Sequence, residues 1–141
     1  MTWQGRDVIA VRQLHVAGSP RTIVVKLGRP RKVRDGEWTC PFRISGLGTR
    51  TAMSGHGLDS IQALLMAMDG IRTRLEQSGK SLTWEGGDSG DTGFARFVPT
   101  AFGLTFAKRI NLMIDKEVLR FARSAEARYR RRRRRSARRR R

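Results

Sequence analysis

Apolar and polar residues alternate through the first third of the chain, and the pattern predicts strands. Residues 7–16 (DVIAVRQLHV) are rich in β-formers, with imperfect alternation: Ile9 and Val11 share a side with Asp7 and Gln13, while Val8, Ala10, Leu14 and Val16 take the other. After Gly18, Ser19 and Pro20, residues 22–27 (TIVVKL) set Ile23, Val25 and Leu27 against Thr22 and Lys26. That is the period of two of a half-buried strand, and the short break between the two runs suits an antiparallel pair. Residues 37–44 (EWTCPFRI) alternate cleanly, with Trp38, Cys40, Phe42 and Ile44 on one side. Pro41 has no N–H to donate, so this strand is expected at a sheet edge or with its amide side unpaired there. Gly46, Leu47 and Gly48 turn the chain into a short polar strand over residues 49–54.

Beyond residue 58 the period changes. Ile61, Leu64, Leu65, Met68, Ile71 and Leu75 recur three and four apart, which predicts an amphipathic helix over residues 59–78. Asp59 and Gln62 form a capping-box-like pair whose side chains satisfy orphan N–H groups, and Gly79 stands where a left-handed residue ends a helix. Gly70 costs about 1 kcal/mol inside a helix, much less than burial of six large side chains contributes. Leu82, Thr83 and Trp84 form one more short strand or a packed segment, and a Gly/Asp loop follows over residues 85–93. Phe94, Phe97 and Val98 then re-enter the core. A second helix is expected from about residue 105, with a stripe of Phe106, Ile110, Met113, Ile114, Val118 and Phe121. Leu112 and Leu119 lie on its other side; either the helix is covered on two sides or these leucines mark a partner face. Nothing in residues 121–128 (FARSAEAR) stops the helix before the arginines that follow.

These elements make an α+β fold: an antiparallel sheet of four or five strands with one helix packed on a face, a second long C-terminal helix, and an arginine tail that is disordered or helical. Residues 1–127 read as a single α+β domain and residues 128–141 as the tail. A body of this length buries roughly two thirds of its unfolded surface, enough for a core without covalent staples. The single cysteine rules out an intrachain disulfide and a cysteine zinc cage. The first residues lack the apolar run and small-residue cleavage site of a secretory signal, and no apolar stretch approaches a membrane span. A cytoplasmic bacterial protein is expected.

Charge changes the picture most. The chain carries +18, and eleven of residues 128–141 are arginine, which leaves +7 for the body. Arg128, Arg130, Arg131, Arg132, Arg133, Arg134, Arg135, Arg138, Arg139, Arg140 and Arg141 keep their protons at any cellular pH. Such a run displaces condensed counterions from nucleic acid, binding DNA or RNA tightly at low salt without reading sequence. Tyr129 is the tail's one aromatic residue, so stacking-based single-strand recognition finds no support. A second basic cluster, Arg29, Arg31, Lys32 and Arg34, falls in the turn region 28–36; it is a solvated hairpin connection or a second phosphate contact.

Candidate chemistry is sparse. His15 ends a strand and His56 sits between two glycines, and Ser54 lies only two residues from His56, a spacing that does not place a hydroxyl against an imidazole. Cys40 among large apolar neighbours reads as an inert buried thiol. Glu85, Asp88 and Asp91 lack the spacing of a calcium loop and read as a structural turn. The sequence implies no catalytic residue, no metal and no cofactor.

Three blocks carry a resemblance: residues 40–48 (CPFRISGLG), 59–75 (DSIQALLMAMDGIRTRL) and 90–99 (GDTGFARFVP). Together they resemble a small bacterial domain family of unknown function, over residues 5–120. The resemblance implies a compact domain and supplies no activity. In architecture, strands followed by a helix opening Asp-Ser-x-x-Ala-Leu are similar to the N-terminal domain of HicB-type antitoxins, a partial ribonuclease-H-like fold that binds a toxin; the helix-turn-helix or ribbon of those proteins is missing here. The leading expectation is a non-catalytic binding protein whose tail contacts nucleic acid. The alternative is a protein-binding regulator of antitoxin or immunity type, docking a partner at the Pro41 sheet edge or at Leu112 and Leu119, with an incidental tail.

Overall fold

The computed structural model describes residues 7–48, 51–98 and 100–139. The chain forms strands β1 (Val8–Val16), β2 (Thr22–Gly28), β3 (Arg31–Lys32), β4 (Trp38–Ser45) and β5 (Thr51–Gly57), then helix α1 (Ser60–Gln77), strand β6 (Leu82–Trp84) and helix α2 (Gly103–Arg139). The fold is α+β, and its six strands form one antiparallel sheet. The sixth strand, one more than expected, is the two-residue β3 inside the basic turn region.

Strand β4 is the hub of this sheet. One edge pairs with β5 from Trp38↔Gly57 to Ile44↔Thr51. The other edge is shared, β2 taking it from Leu27↔Phe42 onward and β3 taking Thr39 and Trp38. β4 is therefore interior, so of the two expectations for Pro41 the sheet edge is corrected and the unpaired amide side stands. Pro41 is tolerated because it falls in the break between the β2 and β3 registers, where the chain loops away through Arg29 and Pro30. Beyond β2 lie β1 and then β6, which adds to β1 at Leu14, His15 and Val16. The outer β5 runs on through Gly55 and Gly57, further than residues 49–54; residues 49 and 50 lie outside those described.

The core forms between one face of this sheet and α1. Leu14, Ile23, Val25, Leu27, Cys40, Phe42 and Ile44 from the strands, with Leu82, meet Ala63, Ala67, Ile71 and Leu75 of the helix. The strand alternation read from sequence thus points the right way, but the helical stripe is rotated. Ile61 is 69 % exposed, and Ala63 and Ala67 take the innermost line, with Leu64 and Met68 partly buried beside them. The reason lies in β5. A Cβ on Gly57 would lie 2.5 Å from the Ala63 nitrogen, and one on Gly55 would fall onto the Ala67 nitrogen. Two glycines on the strand and two alanines on the helix let backbone approach backbone, and bulky side chains are turned aside. Gly70 serves the same packing, since a Cβ there would meet the Phe42 ring at 3.1 Å.

Local signals set the helix ends. The Asp59 carboxylate accepts from the Gln62 N–H at 2.7 Å, the Leu58 N–H donates to Gln62 Oε1 at 2.7 Å, and Gly79 closes the helix at φ 63°. Phe94 packs against the core, whereas Phe97 is only half-buried. The compact unit that holds the sheet and α1 ends at Phe97, and a second unit begins at Val98. That second unit contains a 3-10 turn over Thr100–Phe102 and α2, whose 37 residues make a rod of about 55 Å. Among the described residues no helix is long and apolar enough to cross a membrane.

Candidate nucleic-acid interface

The arginines that dominate the sequence continue a helix. α2 runs unbroken through the change of composition after Ala127 and ends at Arg139. Arg128 and the six arginines from Arg130 through Arg135 are exposed, and consecutive residues 100° apart set them all around the rod. Glu126 neutralises one of them, accepting from Arg130 at 2.5 Å, and the Arg128 guanidinium lies 5.7 Å from the centre of the Phe121 ring. α2 extends through Arg138 and Arg139, while Arg140 and Arg141 lie outside the described residues.

The second basic cluster sits at the β3–β4 hairpin. Arg29, Arg31, Lys32 and Arg34 are all exposed, and the turn closes through a Gly36 N–H to Val33 carbonyl bond of 3.1 Å. Asp7 engages two of these residues: its carboxylate pairs with the Arg31 guanidinium and its carbonyl accepts from the Arg29 N–H at 2.9 Å. The structure adds a basic feature that the sequence did not disclose. Lys26 and Arg43 stand directly opposite each other across β2 and β4, on the face away from α1. Both occupy the polar parity of their strands, but only the register brings them together.

Leu112 and Leu119 of α2 are 60 % and 57 % exposed, and the main stripe is exposed beside them at Met113, Ile114, Val118 and Phe121.

Other candidate residues take structural positions. Cys40 is fully buried, its Sγ donates to the Gly28 carbonyl at 3.3 Å, and burial pushes its thiol up to about 11. A thiol held protonated in this way is a poor nucleophile. His56 faces Glu37 with Nδ1 at 3.6 Å from the carboxylate, both groups more than half exposed. His15 shares a shallow groove of about 520 Å³ with Arg12, Gln13, Trp84 and Glu85. Asp88 and Asp91 build the loop itself: the Asp91 carbonyl accepts from the Trp84 N–H, its carboxylate caps the Gly93 N–H at 2.7 Å, and its own N–H reaches the Asp88 carbonyl. No three His, Cys, Asp or Glu side chains among the described residues group closely enough to hold a metal ion.

That loop also forms a clamp the sequence reading passed over. The Arg12 guanidinium lies 5.0 Å from the Trp84 ring centre and 4.7 Å from that of Phe94, and donates to the Thr92 carbonyl at 3.2 Å. Gly87 and Gly93 lie against the Trp84 indole, whose buried Nε1 has no hydrogen-bond partner among the described residues. Beside the clamp a cavity of about 220 Å³ opens between the sheet and α1, lined by Val25, Leu27, Met68, Ile71 and Phe94 among others. It is apolar, and Arg12 is its charged member.

No curated protein and no solved structure matches the chain. A family model does match, over residues 10–96, and this span takes in β1 from its third residue, β2 through β6, α1 and the Arg12 clamp while leaving α2 outside. The chain belongs to that family, which is described as a domain of unknown function, DUF6968.

Proposed function

We propose that this chain is a non-catalytic binding protein that holds nucleic acid through the arginine segment of α2, without reading base sequence. The observation that carries this reading is the continuity of the helix from the apolar residues after Gly103 to Arg139, with Arg128 and Arg130 through Arg135 exposed around it. A helix about 10–12 Å across fits the major groove of duplex DNA, about 12 Å wide, where guanidiniums on several sides reach phosphates of both strands. The major groove of duplex RNA is too narrow for the same insertion, so duplex DNA is the better partner by shape. Phosphate contacts carry no sequence information, and the affinity is nonspecific.

Binding of full-length protein and of a version ending at Ala127 is compared on duplex DNA and RNA over a salt series. The full-length protein is expected to lose affinity steeply with salt, with log K falling about 0.9 per phosphate neutralised for each decade, and the shortened version to bind weakly. Equal binding by the two versions would refute the reading.

A protein-binding regulator is the second reading, and the exposed Leu112 and Leu119 favour it. With β4 interior, the docking surface moves from Pro41 to α2. Recovery of one host protein by the version ending at Ala127, with neither version binding nucleic acid at physiological salt, would decide for it.

A further inference from the structure

We propose that the apolar stripe of α2 joins a second copy of this chain in an antiparallel helix pair, leaving one arginine arm projecting from each end. The self-association stands on its own observations; its consequence, a bivalent nucleic-acid binder, rests on the reading above.

The first observation is the stripe. Phe106, Met113, Ile114, Val118 and Phe121 are exposed large apolar side chains on one side of a single helix, and Ile110 falls among them. Covering six such side chains removes roughly 350–700 Å² per copy, which approaches the roughly 800 Å² that each partner of a stable complex contributes. A concentration-dependent dimer follows. The second observation is the spacing. Read forwards, the stripe steps by 4, 3, 1, 4 and 3 residues; read backwards, by 3, 4, 1, 3 and 4. A helix laid antiparallel on its own copy therefore sets Phe106 against Phe121, Ile110 against Val118, and Met113 against Ile114. Glu117 interrupts the stripe, and its carboxylate already holds Arg120 at 2.6 Å.

Charge fixes the direction. Residues 103–121 carry a net +2 and residues 122–139 a net +9. A parallel pair would hold two +9 segments about 8–10 Å apart, comparable to the screening length of about 8 Å at physiological salt, so their repulsion is only partly screened. The antiparallel pair separates the arm centres by roughly 60 Å at 1.5 Å per residue, where their repulsion is screened. Charge and shape also choose the occupant. Nucleic acid offers no apolar surface to the stripe. A bilayer would meet only part of an arginine segment charged on all sides.

The test uses full-length protein freed of nucleic acid by nuclease and a high-salt wash, then returned to physiological salt, where the arms still repel. Sedimentation equilibrium is expected to show a monomer–dimer equilibrium, and Val118→Glu or Ile114→Glu to weaken association at least tenfold with helix content preserved by circular dichroism. Cysteine pairs read the direction, since Cys40 is buried and silent. In an antiparallel dimer the double variant Phe106→Cys/Phe121→Cys cross-links and neither single variant does; in a parallel dimer each single variant cross-links to itself. A monomer at all concentrations, a dimer indifferent to Val118→Glu, or self-linked single variants would overturn the proposal. So would a monomer whose stripe is protected only on anionic vesicles. A monomer that still binds DNA refutes the dimer alone, and a dimer that binds none refutes the nucleic-acid reading alone.

Discussion

Gly55 on β5 and Ala67 on α1 pack backbone against backbone: a Cβ on Gly55 would fall onto the Ala67 amide nitrogen and lie 2.5 Å from the Ala63 carbonyl oxygen. Neither obstacle is the end of a flexible side chain, so the helix must lift from the sheet to admit even a methyl group. Gly55→Ala is expected to cost more than the 1–3 kcal/mol of ordinary overpacking, enough to threaten folding. Gly70→Ala is the milder contrast. Its Cβ would press the Phe42 ring at 3.1 Å, while alanine adds about 1 kcal/mol of helix propensity, so a net loss below about 2 kcal/mol is expected. Urea midpoints of the two variants check the order.

The same contact shows what the sequence could and could not disclose. Period-two alternation identified the buried sides of β2 and β4 because a strand has only two faces, and a parity decides between them. A helix has no such discreteness. The large residues Ile61 and Leu65 pulled the expected stripe about one position away from Ala63 and Ala67, and only the glycines of β5 reveal that the closest approach needs small side chains. The interior place of β4 was hidden for a related reason. Pro41 is compatible with any unpaired amide, and the break between β2 and β3 that supplies one is a property of register. The candidate interface was legible as charge. Its helical form depended on the absence of any stop signal, and the Lys26–Arg43 opposition depended on strand pairing.

Burial of Cys40 makes stability depend on pH in the alkaline range. The thiol is raised from 9.0 to about 11 in the folded state, so the folded chain holds this proton more tightly than the unfolded chain does. The contribution is fully present below the unfolded value and is lost as pH rises from about 9 through about 11. Two pKa units correspond to about 2–3 kcal/mol. Between pH 8 and pH 11 the native protein is expected to lose about 2 kcal/mol more than Cys40→Val, measured by urea unfolding at each pH. Parallel curves would show that the thiol does not titrate with unfolding.

Arg12 ties the Gly/Asp loop to the sheet through two rings and one carbonyl. A partly desolvated cation–π contact contributes about 0.5–2 kcal/mol, and Arg12→Ala also strips the packed stem, so a loss of about 1–3 kcal/mol is expected. Arg12→Lys keeps the charge without the planar stack and should fall between. Gly93→Ala attacks the clamp from the other side: φ there is 67°, and its Cβ would lie 2.6 Å from an Arg12 guanidinium nitrogen. Since both changes break one contact, Arg12→Ala and Gly93→Ala are expected to be non-additive in a double-mutant cycle. Strict additivity would mean that the clamp contributes nothing as a unit.

The arginine segment should be helical in proportion to how well its charge is screened. Within residues 128–139 ten arginine pairs stand three or four apart, while Glu126 supplies one opposing partner, to Arg130. Each like-charge pair costs about 0.2–0.5 kcal/mol at low salt, so the segment carries a penalty on the order of 2–5 kcal/mol. The helix macrodipole, which favours cations at a C-terminus, offsets only about 0.3–1 kcal/mol per charge, and only over the last turn. At 10 mM salt the screening length is about 30 Å and the repulsion acts in full; at 1 M it is about 3 Å and little of it survives. The 222 nm circular dichroism difference between full-length protein and the version ending at Ala127 is therefore expected to be small at low salt. It should grow with salt toward that of the twelve residues from Arg128 to the end of α2. Duplex DNA at low salt should produce the same gain, because phosphates supply the countercharge that salt otherwise provides. If neither salt nor DNA raises the difference, the segment is not a helix in solution, and groove insertion loses its basis.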